Sequence, residues 1–261
     1  NRWIGQAVPA DIFVNAGSRL ADMTNMPLSP ALGERIRAIP GVEELDLVRL
    51  VRIPFRGHRP MLLSLNLETY AKRGRPLLLA GESPADPRVL RHYVEQPWAM
   101  VSENLARRDR LKVGQWIVIP TPTGLARLRV QSIYVDYTSD QGLIVIDRSH
   151  YRRLFGDDLV DSFEVYLARG AAVAPVRSAI ERELGDVPSL FVLSGQDIRN
   201  EARNVIEQTF AASRVTELIA ILVAILGVIG TLLAAVLDRT REIGILRAVG
   251  ATRAQIVASI C

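Results

Sequence analysis

Three histidines, one cysteine and two lysines are all the chain offers of the side chains that most often ligate metals, attack carbonyls or hold phosphates. His58, His92 and His150 are far apart and lack ligand spacing, so no metal is expected. Cys261 has no second thiol to pair with. Lys72 is followed by Arg73 and Lys112 by Val113, so neither completes the Gly-Lys-Ser/Thr of a phosphate-cradling loop. No ATP site and no cofactor are expected in this chain. "GESPA" (Gly81 to Ala85) has part of a nucleophile elbow but lacks its second glycine, and a loop is expected there. Asp157, Asp158 and Asp161 beside Arg152 and Arg153 read as a solvated turn. With no nucleophile–base pair to name, the chain reads as no enzyme.

The spacing that does suggest a function is "LDRTREIGILRAVGATRAQI" (Leu237 to Ile256), four arginines and two acids at the end of an apolar run. Asp238 to Val249 reads as about three helical turns, with Ile243, Leu246 and Val249 near one stripe. Gly250 is placed to end the helix in a left-handed conformation. Thr252 and Gln255 then form a capping-box pair for a further apolar helix. A basic helix lying on anionic lipid would explain the arginines, but less well the two glycines and Glu242.

The run before it, Leu218 to Leu237, has 20 residues with Thr231 as its only polar side chain, the length that crosses about 30 Å of hydrocarbon. Gly227, Gly230 and Ala234 put small residues at close spacing, which allows a second membrane helix to approach. The arginines after the span put its C-terminal side in the cytoplasm and residues 1–217 outside.

All 14 prolines lie between Pro9 and Pro188, so long helix is expected from Gly195 onward. Ser194 and Asp197 fit a capping box at its start. Earlier, strand–helix–strand patterns cover 8–57 and 161–194. Residues 58–160 are rich in strands, among them "QWIVIPTP", "LARLRVQSIYVDY" and "GLIVID". The expected fold is an α+β outer domain (1–195) in which two βαβ-type units pack together around an inserted β-rich part. A stalk helix (196–217), a membrane helix (218–237), a short cytoplasmic helix (238–250) and the start of the next membrane helix (251–261) follow. The absence of Met at Asn1 and the helical pattern still running at Cys261 suggest a segment of a longer protein.

Net charge is +4, but over 1–217 there are 28 basic and 26 acidic residues and no basic stripe, so nucleic acid is not an expected partner.

"DRTREIGILRAVGATRAQI" resembles the cytoplasmic motif after the second membrane helix of the FtsX/MacB/LolC-type ABC transporter permeases. "LKVGQWIVIPTPTGLARLRVQSIY" is similar to a run in the outer domain of the same family. The resemblance implies four membrane helices, an extracytoplasmic domain between the first two, and a second helix that extends outward as a stalk. By motif position it implies that Glu242, Ile243, Gly244, Leu246, Arg247, Gly250 and Ala251 dock on a cytoplasmic ABC ATPase subunit. It further implies a dimer with a second permease copy or a related permease, contact with membrane lipid, and a protein or lipid cargo outside the cytoplasmic (inner) membrane. The function read from this is a permease subunit that transmits ATP hydrolysis by its partner to the outer domain, for export or for lipoprotein or lipid release. The alternatives are a regulator of an extracytoplasmic partner such as a cell-wall hydrolase, or a single-pass sensor.

Overall fold

The computed structural model describes residues 10–17, 26–73, 77–136, 139–248 and 250, and the chain divides into two compact units, 1–202 and 203–261.

The first unit contains one ten-stranded sheet with two differently built halves. In the first half, β1 (Ile12–Ala16) pairs antiparallel with both β10 (Leu190–Ser194) and β9 (Ser162–Leu167), and β9 pairs with the first part of β2 (Val42–Arg52). The spatial order is therefore β10-β1-β9-β2. Helix α1 (Ala31–Arg37) joins β1 to β2, and α6 (Val173–Glu183) joins β9 to β10. Each strand–helix–strand unit thus encloses a strand of the other, the split βαβ interleaving of a ferredoxin-like sandwich. Ile12, Val14, Leu45, Phe163, Val165 and Val192 alternate onto one face of this half-sheet. There they meet Ile36 and Ile39 at α1 and Val176 and Ile180 of α6, so period-two strands and period-3.6 helices share one core.

β2 carries the chain from this half to the other. Up to Val48 it pairs with β9; from Arg49 it pairs with β3 (Met61–Leu65). The sheet continues through β8 (Leu143–Asp147), β5 (Trp98–Ser102) and β7 (Gly124–Tyr134) to β4 (Leu78–Gly81), with β6 (Trp116–Thr121) paired to β7. β5 and β8 are buried along their whole length, as continuous apolar runs require. Leu105, Ala106 and Tyr151, from α4 (Glu103–Asp109) and α5 (Arg148–Phe155), cover one face of this half. Leu67, Val89 and Tyr93, from α2 (Leu67–Arg73) and α3 (Pro87–Glu95), cover the other.

Helix starts are set by short polar side chains. Asn66 Oδ1 accepts the Glu68 and Thr69 N–H groups at the start of α2. Asp86 accepts Arg88 N–H before α3, with Pro87 at the first position, and Asp147 accepts Ser149 N–H at α5. In the opening unit Pro30 itself occupies the cap of α1, and Ser29 Oγ accepts Ala31 N–H at 3.3 Å.

After Ser194 comes one helix, α7 (Gly195–Ala248). The stalk, the apolar run and the stretch read as a separate cytoplasmic helix all lie on it. No proline interrupts the backbone ladder, and the change from apolar to charged side chains at Asp238 does not by itself end a helix. Gly250, just beyond, has φ +93°, the left-handed conformation expected of a terminating glycine.

Candidate functional site

The site indicated by the sequence is the far end of α7. Glu242, Ile243, Gly244, Leu246 and Arg247 lie on the helix, Gly250 follows it, and Ala251 lies outside the described residues, as does the expected return helix begun by Thr252. A side chain at Gly244 would touch nothing within 4 Å, and Ile245 is exposed.

Glu217–Ile245 is long and apolar enough to cross a membrane, and none of its window is buried against the rest of the chain. Leu218, Leu222, Ile229 and Leu233 are all more than half exposed. An apolar helix bare on every side needs a non-aqueous surrounding. Its two threonine hydroxyls bond within the helix: Thr231 Oγ1 donates to Val228 O at 2.9 Å, and Thr240 Oγ1 to Val236 O at 2.7 Å. That is what hydrocarbon demands of a hydroxyl. Gly227 and Gly230 face open space, with nothing within 4 Å of an added Cβ, and Ala234 is exposed one turn on.

The other end of α7 is fastened to the sheet. Gly195 N–H donates to Asp11 O at 2.8 Å, and a Cβ at Gly195 would lie 2.3 Å from Ala10 O, so only glycine permits this approach. Arg177 of α6 reaches Asp197 at 3.1 Å.

The remaining candidates are structural. Ser83 Oγ accepts Ala85 N–H in a turn, so "GESPA" is the end of β4 at Gly81 followed by a loop. His150 is buried and its Nε2 lies 3.0 Å from Tyr93 O; burial and Arg153 push its pKa down. His92 packs on Trp98, and His58 Nε2 lies 3.0 Å from Asp109 Oδ2 without hydrogen-bond alignment. No metal-binding group of acids, histidines or cysteines occurs among the described residues.

The acidic cluster is not the solvated turn expected from sequence. Only Asp158, paired with Arg152, is exposed. Asp157 and Asp161 turn inward to Arg49 of β2, whose guanidinium bonds both at 2.8 Å, and Asp161 also accepts Leu50 N–H at 2.7 Å. Burial opposes the Asp157 charge, but Tyr151 O–H, Leu159 N–H and Arg49 outweigh it and hold that carboxyl below its usual range. For Asp161 burial prevails over the same kinds of donor and the pKa is raised. Arg49 precedes the cluster by more than 100 residues, which is why sequence spacing could not reveal it.

Close by, where β2 changes partner, Glu34, Arg37, Asp46, Asn66, Arg148 and Arg152 line a polar cleft of about 340 Å³. Burial raises the Asp46 pKa to about 6 despite the Asn66 N–H it accepts. The signal missed in the sequence was Asp46 itself, an acid at every-other spacing from Val48 inside a strand.

Residues 215–261 match the family model described as FtsX-like permease C-terminal. An uncharacterized ABC transporter permease protein of Mycobacterium tuberculosis is 25% identical over 258 residues, which is 97% of this chain and 30% of that protein's length. The periplasmic region of MacB from Actinobacillus actinomycetemcomitans superposes with a TM-score of 0.53 at 9% identity, covering 75% of this chain and 93% of that one. The extracellular domain of the noncanonic ABC-type transporter YknZ from Gram-positive bacteria gives 0.49 at 8% identity, covering 71% of this chain and all of that one. The chain is thus similar to ABC transporter permeases: a mixed α/β domain with the fold of the MacB periplasmic region is followed, over residues 215–261, by a segment that matches the FtsX-like permease model.

Proposed function

We propose that the chain is part of a permease subunit that converts ATP hydrolysis by a partner ABC ATPase into movement of its extracytoplasmic domain. The observation that carries this reading is that the FtsX-like segment, 215–261, begins on a helix that runs uninterrupted from Gly195 to Ala248. In this reading residues 1–195 form the outer domain, 196–217 the stalk, 218–237 the span and 238–250 the coupling helix. The ATPase grips Glu242, Ile243, Gly244, Leu246, Arg247, Gly250 and Ala251. The arginines after the span keep that end in the cytoplasm and the outer domain beyond the cytoplasmic membrane. Gly227, Gly230 and Ala234 pack against other membrane helices of a permease dimer. A continuous helix transmits displacement because bending it sharply means breaking backbone hydrogen bonds.

The work done outside is export, or release of a lipoprotein or lipid. The same lever would serve a regulator that acts on an extracytoplasmic partner.

The test uses the full-length protein with its ATPase. Gly244→Pro costs helix about 2 kcal/mol or more at that turn, and Glu242→Arg reverses a charge on the gripped surface. Both variants are expected to lose ATPase association and transport while the outer domain keeps its melting temperature. Association and transport at parental levels would refute the reading.

A further inference from the structure

The β6–β7 hairpin exposes a surface that neither the fold nor the proposed lever uses. The strands pair Trp116 with Arg129, Val118 with Arg127 and Pro120 with Leu125, which puts these six side chains on one face. The opposite face holds Ile117, Ile119, Ala126 and Leu128, all buried in a core. An antiparallel hairpin with one face in a core ordinarily turns polar side chains outward. Here Trp116 is 46%, Val118 45% and Leu125 77% exposed, and Val113 at the hairpin's base is exposed as well.

The charges carried by the hairpin itself have one sign, and an acid beside β7, Glu82, accepts from Gln131 Nε2 at 3.1 Å. From Arg110 to Val135 the chain contains Arg110, Lys112, Arg127 and Arg129 and no acidic residue. The Arg127 guanidinium lies 5.1 Å from the centre of the Trp116 ring, and that of Arg129 lies 5.9 Å from the centre of the Trp98 ring. Neither arginine bonds a carboxylate among the described residues. An indole, exposed aliphatics and unopposed arginines are what the boundary between headgroup and acyl chain accommodates: the indole sits at headgroup level, the aliphatic tips enter, and the cations meet phosphate.

We propose that this hairpin face docks on anionic phospholipid of the membrane that α7 spans. The inference rests on reading α7 as a membrane helix, which puts a bilayer on the same chain as the hairpin. The lipid phosphates are taken by Arg127 and Arg129, and Trp116, Val118 and Leu125 bury their exposed area.

The full-length protein reconstituted into vesicles tests this. One set is phosphatidylcholine alone; the other is equal parts phosphatidylcholine and phosphatidylglycerol. Both carry brominated acyl chains that quench tryptophan on contact. The difference in emission between the parent and Trp116→Phe isolates one indole. Trp116 is expected to be quenched and blue-shifted only in the phosphatidylglycerol vesicles. Most of that quenching should be lost in Arg127→Glu and in Leu125→Asp, two exposed positions whose change leaves the core intact, and in high salt. Silent Trp116 in both sets, or equal quenching in both, would overturn the proposal. So would a photocrosslinker at position 125 that captures an acidic protein in cells while lipid quenching is absent. Extraction of the protein by alkaline carbonate would defeat the membrane reading and this inference with it. A firmly embedded protein with an unquenched Trp116 defeats the inference alone.

Discussion

Ser194 and Asp197 cap one another at the start of the long helix: Asp197 N–H donates to Ser194 Oγ at 3.0 Å, and Ser194 N–H donates to Asp197 Oδ2 at 3.2 Å. Asp197 also meets Arg177, and its pKa is lowered first by the Ser194 contact. The reciprocal pair sets the residue at which sheet becomes helix. Ser194→Ala is expected to lower stability by about 1 kcal/mol. Gly195→Ala should cost more, because its Cβ would press on Ala10 O, a backbone atom with little room to move. Chemical denaturation of the two variants checks the order; a milder effect for Gly195→Ala would show that this joint is looser than its geometry.

Arg49 is the only cation bonded to both Asp157 and Asp161 among the described residues, and its side chain is 13% exposed. Removing it strands two inward-facing carboxylates. Arg49→Met is expected to destabilise the first unit by about 3 kcal/mol or more. Restoring the charge as Arg49→Lys should recover little, since one ammonium cannot reproduce the fork that bonds both acids. The midpoint of urea unfolding reports both.

Asp46 and Glu164 face each other across β2 and β9. Burial, and for Glu164 also the Asp46 charge, raises their pKa values from 3.8 and 4.5 to about 6 and about 8. An acid with a raised folded pKa stabilises the fold when protonated, so this contribution is complete below about pH 4. It is lost as pH rises through about 6 for Asp46 and about 8 for Glu164. Asp157 and Asp197, whose pKa values are lowered, act oppositely, and their contribution disappears in acid. Stability should therefore decline between pH 5 and 8.5, and Glu164→Gln should flatten the upper part of that decline, with a gain on the order of 1 kcal/mol at its top. Melting temperature against pH for parent and variant decides it; an unchanged slope in Glu164→Gln would show that Glu164 titrates normally.

Ile229 sits near the middle of the apolar run and is exposed on the chain. Ile229→Arg should cost about 3 kcal/mol of membrane insertion. The expected outcome is a larger fraction of protein extracted by alkaline carbonate, with Ile229→Leu behaving as the parent.

Much of this molecule is decided by local patterning. The strand ends, the glycine-terminated helices and the proline-free tail are properties of neighbouring residues, and β1, β6 to β10 and α6 lie where their sequences place them. The stretch from His58 to Gln96 was harder to read. β3 is a short run, apolar but for Ser64, with no alternation to mark it, although Asp86 before Pro87 does announce α3. The hairpin's outer face was also legible in principle, since "WIVIP" is apolar at both phases of a two-residue period.

What the sequence by itself determined was an apolar span of the right length with a basic, glycine-punctuated stretch after it, because length, polarity and backbone freedom are local quantities. Only the tertiary structure decided that β9 lies between β1 and β2, that Arg49 is bonded to two aspartates more than 100 residues away, and that Asp46 opposes Glu164. These depend on which strands become neighbours. Strand pairing is set by how whole apolar faces are buried together, and no spacing along the chain encodes it.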